Sequence, residues 1–136
     1  QPRLVLAALL VREGKADEAR RLFADVASGY RETLAAGKTL DPVSQRRYCA
    51  ALAGQARLAP TPARWEEIAA QLGPDRLRLS PEAATLLAEA EARRGRTAEA
   101  AALLAPLHSA GYRHPDYLAV LDQFPALLAS TRPANR

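Results

Sequence analysis

Apolar residues recur along this chain with a helical period, and the same stripe is written three times. Ala19, Leu22, Phe23 and Val26 stand at i, i+3, i+4 and i+7, and so do Ala100, Leu103, Leu104 and Leu107. Trp65, Ile68, Ala69 and Leu72 repeat the spacing between them. Each set lays one apolar stripe along a helix of about 3.6 residues per turn. Polar residues such as Arg20, Asp25, Glu66, Glu67 and Gln71 fill the opposite faces. Phe23, Trp65 and Leu104 are therefore expected to be buried. A second kind of helix precedes each stripe. Residues 2–12 carry Leu6, Leu9 and Leu10; residues 42–58 carry Tyr48, Cys49, Leu52 and Ala56; residues 81–94 carry Ala83, Leu86, Leu87 and Ala90.

The punctuation between these helices is strong. Asp41-Pro42, Thr61-Pro62 and Ser80-Pro81 each place a capping side chain before a Pro that opens a helix. The cap oxygen takes an orphan N–H, and Pro gives up an N–H that had no partner. His114-Pro115-Asp116 is expected to open a further short helix, and Pro125 a last one through Ser130, ahead of a frayed tail. Gly14 and Gly95 give tight turns inside the first and third helix pairs; they lie 81 residues apart. Around both the text is alike: a helix rich in small residues, the Gly, a basic residue, then Glu-Ala and an apolar pair. Gly37 is expected to stop the long helix that begins after Gly14.

Composition sharpens the fold class. The apolar residues are mostly Ala and Leu, which favour helix, and β-branched and aromatic residues are few. No apolar run approaches the roughly 18 residues a membrane span needs. The single Cys49 has no disulfide partner within the chain and reads as a core thiol, compatible with periplasm or cytoplasm. The net charge is +4, and of the 19 basic residues all but Lys15 and Lys38 are Arg. Scarce aromatics argue against nucleic acid as the partner, because stacking needs them. The chain contains no Met and opens on Gln1-Pro2, so a segment of a longer array is expected. Exposed solenoid ends, chiefly Leu4, Leu6 and Leu9, would allow weak self-association.

The repeated phrase resembles the tetratricopeptide repeat. That family places a small residue in its first helix, Gly at the turn, Ala early in its second helix, a large apolar residue one turn later and a small residue beyond. Ala7, Gly14, Ala19, Phe23 and Val26 stand at those places in the first unit, and Ala88, Gly95, Ala100, Leu104 and Leu107 in the last. The middle unit keeps Trp65, Ile68 and Leu72; the family's signature Trp is absent, and units are spaced by 46 and 35 residues. The resemblance implies one all-α domain: antiparallel helix-turn-helix repeats at about 1–36, 42–72 and 81–110, with a C-terminal helical segment at 115–130. These would form a right-handed α-solenoid whose concave face takes a peptide or protein. The Ala/Leu/Arg-rich style also resembles repeat regions of bacterial cell-envelope proteins, including exopolysaccharide export components.

Chemistry is sparse. His108 and His114 flank a turn, Cys49 is distant, and no zinc-site spacing is present. No nucleophile elbow or phosphate-cradling Gly loop occurs. Glu66, Glu67, Glu89 and Glu91 are expected on solvated helix faces. The expectation is a binding scaffold, not an enzyme, with no catalytic residue, metal or cofactor. Its candidate partner-binding residues are Arg46, Arg47 and Gln55 in the middle unit and Glu89 and Arg93 in the last. Arg47 comes first, one turn before Ala50 and Ala51, because Arg suits bidentate capture of carboxylates. The alternative is a regulatory module that holds nucleic acid or another polyanion through Arg clusters, including Arg76, Arg78, Arg94 and Arg96.

Overall fold

A computed structural model describes residues 2–131. Among them the chain is all-α, with no strand: α1 (Pro2–Arg12), α2 (Ala16–Ala35), α3 (Pro42–Leu58), α4 (Pro62–Leu72), α5 (Pro81–Arg93), α6 (Thr97–Ser109), α7 (Pro115–Gln123) and α8 (Pro125–Thr131), with a 3-10 turn at Gly73–Asp75. The expected tail lies largely outside the described residues. No described helix is long and apolar enough to cross a membrane.

The boundaries fall where local chemistry puts them. Asp41 accepts a hydrogen bond from the Ser44 N–H at 2.8 Å, and Ser80 accepts one from the Ala83 N–H at 3.2 Å. His114 serves as a cap through Nδ1, which accepts the Asp116 N–H at 3.1 Å. Thr61 differs from the expected cap. Its hydroxyl turns back to donate to the Ala59 carbonyl at 2.7 Å, and the Thr61 carbonyl takes the Arg64 N–H.

Gly14 and Gly95 build the same turn. Both have φ near +78°, a region that L side chains avoid. The N–H of the following residue then reaches back five residues, Lys15 to Leu10 at 2.9 Å and Arg96 to Glu91 at 2.8 Å. This pattern satisfies carbonyls that the ending helix would leave bare.

The chain resolves into two compact units, Gln1–Gln71 and Leu72–Arg136. In the first, α1 folds back on α2, and α3 packs on both. Phe23, Val26, Tyr48, Cys49, Leu52, Trp65 and Ile68 are buried. The Phe23 ring lies directly over Gly54: a Cβ added there would stand 2.6 Å from three ring atoms. In the second unit, α5 packs on α6, while α7 and α8 close over them and bury Tyr117, Val120 and Leu127 beside Leu104. Phe23, Trp65 and Leu104 are thus all core residues, as their shared stripe position requires.

Candidate interaction site

The α3 helix is covered over most of its length. Tyr48, Cys49, Ala51, Leu52, Ala53, Gly54 and Ala56 are all buried. Arg57 is exposed near its C-terminal end, and the first turns leave a second, partly accessible edge: Val43, Arg46, Arg47 and Ala50, at i, i+3, i+4 and i+7. Both Arg residues are half-buried, and Val43 is 43% exposed. Among the described residues, Arg46 and Arg47 make no ion pair and no side-chain hydrogen bond. Gln45, between this edge and α4, donates from Nε2 to Gln71 Oε1 at 3.3 Å. Gln55 lies half-buried two turns further on, and its Oε1 is buried without a hydrogen-bond partner.

Beneath the same helix lies an ionic tie that sequence spacing did not suggest. Arg31 of α2 approaches Glu67 of α4 in a forked geometry, with Nε and Nη2 at 3.3 and 3.1 Å from Oε2. Arg64 pairs with the same carboxylate, and the Tyr48 hydroxyl of α3 donates to it at 3.0 Å. Burial pushes the Glu67 carboxyl up, but hydrogen bonds from Arg64, Tyr48 and Arg31 outweigh it and hold the group below its ordinary value. The Tyr48 hydroxyl is pushed up by burial and by its bond to Glu67. Burial also pushes the Cys49 thiol up to about 12, with the Glu67 charge adding to it.

In the second unit, the expectation of solvated carboxylates is overturned. Glu89 and Glu91 are only 2% and 1% exposed. Burial of a charge is tolerated where partners compensate it, and arginines do so here. Arg93 Nη2 lies 3.4 Å from Glu89 Oε2, and its guanidinium stands over the Phe124 ring at 5.4 Å. Arg94 pairs with Glu91 at 2.5 Å, while Arg76 and Arg96 approach its other oxygen at 3.8 and 3.9 Å. Arg96 also bonds Glu99 at 2.9 Å. A hydrogen bond accepted from the Glu91 carboxyl, with the Arg96 guanidinium beside it, holds the Glu99 carboxyl below its ordinary value. The candidate pair Glu89 and Arg93 is therefore engaged internally, as are Arg76, Arg94 and Arg96. Next to this cluster an open cleft of about 480 Å³ is lined by Arg76, Leu79, Ala84, Glu99 and Leu103.

Of the residues singled out from the sequence, the structure leaves Arg46 and Arg47 on an accessible edge and keeps Gln55 at its half-buried margin. The Glu67 and Glu91 ties were missed because Arg31 and Arg76 reach them from other parts of the chain; the local hints were Arg64 and Arg94, each three residues from its Glu. No group of three or more His, Cys, Asp or Glu side chains suited to a metal ion occurs among the described residues. Comparison with protein-family models, with curated proteins and with solved structures finds no match.

Proposed function

We propose that this chain is a protein-interaction module of the tetratricopeptide-scaffold type and that the exposed edge of α3 receives an acidic protein or peptide segment. The observation that carries the reading is the pair Arg46 and Arg47, half-buried beside Val43 and Ala50 and without ionic partners among the described residues. Long Arg side chains bury their stems and keep the charged head in water, so a half-buried guanidinium meets a partner carboxylate with part of its ordering cost already met. Val43 and Ala50 add a small apolar contact on either side. The twice-built helix pair around Gly14 and Gly95 supports the repeat reading.

The polyanion alternative loses its main support once Arg76, Arg94 and Arg96 are seen spent on Glu91 and Glu99. Titration with a panel of labelled acidic peptides tests the proposal. Binding is expected, and Arg46→Glu with Arg47→Glu should weaken it by about 1–3 kcal/mol, the worth of charge-assisted bonds, with the helical spectrum unchanged. Binding that ignores the double reversal but is lost on changing Arg20 and Asp25 on the outer face of α2 would move the site. No binding by any peptide in the panel would remove the reading.

A further inference from the structure

The α1 helix is apolar on every side, yet only Ala7 is buried. Val5 is 70% exposed, Leu6 48% and Leu9 47%, so α1 carries four of the large hydrophobic side chains left in solvent, Val11 included. The repeat spacing shows what is unusual here. Moving along the chain by 46 residues and then 35 carries Leu6 to Leu52 and Leu87, and both of these are fully buried. The same moves carry Ala7 to Ala53 and Ala88, buried in all three helices. Val5 corresponds to Ala51, which is fully buried, and Ala8 corresponds to Gly54. Within the first unit, Gly54 is covered by Phe23 of α2, a helix of the pair that comes before α3. Ala8, at the equivalent place on α1, is exposed.

We infer that the Val5, Leu6, Ala8 and Leu9 face of α1 is a docking surface for an antiparallel helix pair of the α1–α2 kind. That pair stacks on α1 as α1–α2 stacks on α3, with a large apolar residue in the place of Phe23 resting on Ala8. The partner's chemistry is set by what already covers the equivalent face: a Leu/Ala-rich hairpin whose second helix carries one bulky ring or Leu at the contact. This holds whether or not the edge of α3 binds an acidic partner.

A fusion tests it. Residues 2–48 are placed ahead of residues 3–136, so that Tyr48 runs into Arg3 in the register of the 46-residue spacing and α1 continues the helix begun at Pro42. The added pair should raise Tm by roughly 5 °C or more and suppress binding of an apolar dye to the native protein. Phe23→Glu in the added copy alone should abolish both gains. An added pair that changes neither Tm nor dye binding overturns the inference, and so does a gain that survives Phe23→Glu. So does an unfused protein that sediments as a dimer and becomes monomeric with Leu6→Glu and Leu9→Glu, because a second copy then fills the face.

Discussion

The Tyr117 side chain concentrates one local conflict. Its ring is 2% exposed and meets Tyr112 edge-on at 5.4 Å between centroids, so the aromatic body is well placed. Its hydroxyl is buried with no hydrogen-bond partner. A buried hydroxyl left unsatisfied forfeits its hydration without return. Tyr117→Phe keeps the ring contacts and removes the orphan, so it should stabilise the protein by about 1 kcal/mol, read as a higher denaturant midpoint with unchanged slope. Loss of stability on this substitution would show that the hydroxyl has a partner in solution. The orphaned group was not legible in the sequence, where nothing near Tyr117 marks its hydroxyl as buried. Its cap, by contrast, was legible, because His114-Pro115-Asp116 is a local pattern.

Among elements, α2 packs on α3 across a glycine, with the Phe23 ring directly over Gly54. Substituting Ala for a helical Gly ordinarily gains about 1 kcal/mol. At Gly29 of α2, where an added Cβ meets nothing within 4 Å, that gain is expected in full. At Gly54 the sign reverses. The new methyl would overlap the Phe23 ring, itself hemmed in at 7% exposure, and overpacking of this kind costs about 1–3 kcal/mol. Thermal or urea unfolding of Gly29→Ala and Gly54→Ala should move in opposite directions. Helix limits were legible throughout because Pro, Asp, Ser and Gly mark them within a few residues. Gly54 was not, since it lies in an unbroken Ala-rich run where nothing local marks the approach of a ring 31 positions earlier. The burial of Glu89 and Glu91 was misread for the same reason. The helix face looks polar, and the Arg76 that reaches Glu91 comes from a separate loop.

For the whole molecule, a net charge of +4 grows as carboxylates are neutralised, so acid adds repulsion to any loss of specific ties. Glu67 supplies such a tie in the first unit. Its folded value lies below the ordinary 4.5, so the unfolded chain binds its proton first as pH falls. The stability it contributes is fully present above about pH 4.5 and is lost as pH falls through the lower folded value. Glu67→Gln should therefore lower stability at pH 7 and flatten the acid limb of the stability curve. Equal acid sensitivity in the two proteins would show that other carboxylates, such as Asp41 and Glu99, carry the effect. The sequence offered Glu67 only as half of an acidic pair; its partners Arg31 and Tyr48 lie 36 and 19 positions away, beyond the reach of helical spacing.

Cys49 has no exposed surface, and its thiol is held at about 12. At neutral pH it is neither accessible nor ionised, and both conditions are needed for attack on an alkylating reagent or a disulfide. It is also the sole thiol in the chain. Its modification therefore requires the core around α3 to open, and a thiol reagent acts as a clock on that opening. When reclosing outpaces the chemistry, the clock counts how often the unit is open; when the reagent is fast enough, it counts how quickly the unit opens. The protein thus contains a built-in, single-site reporter of its own breathing.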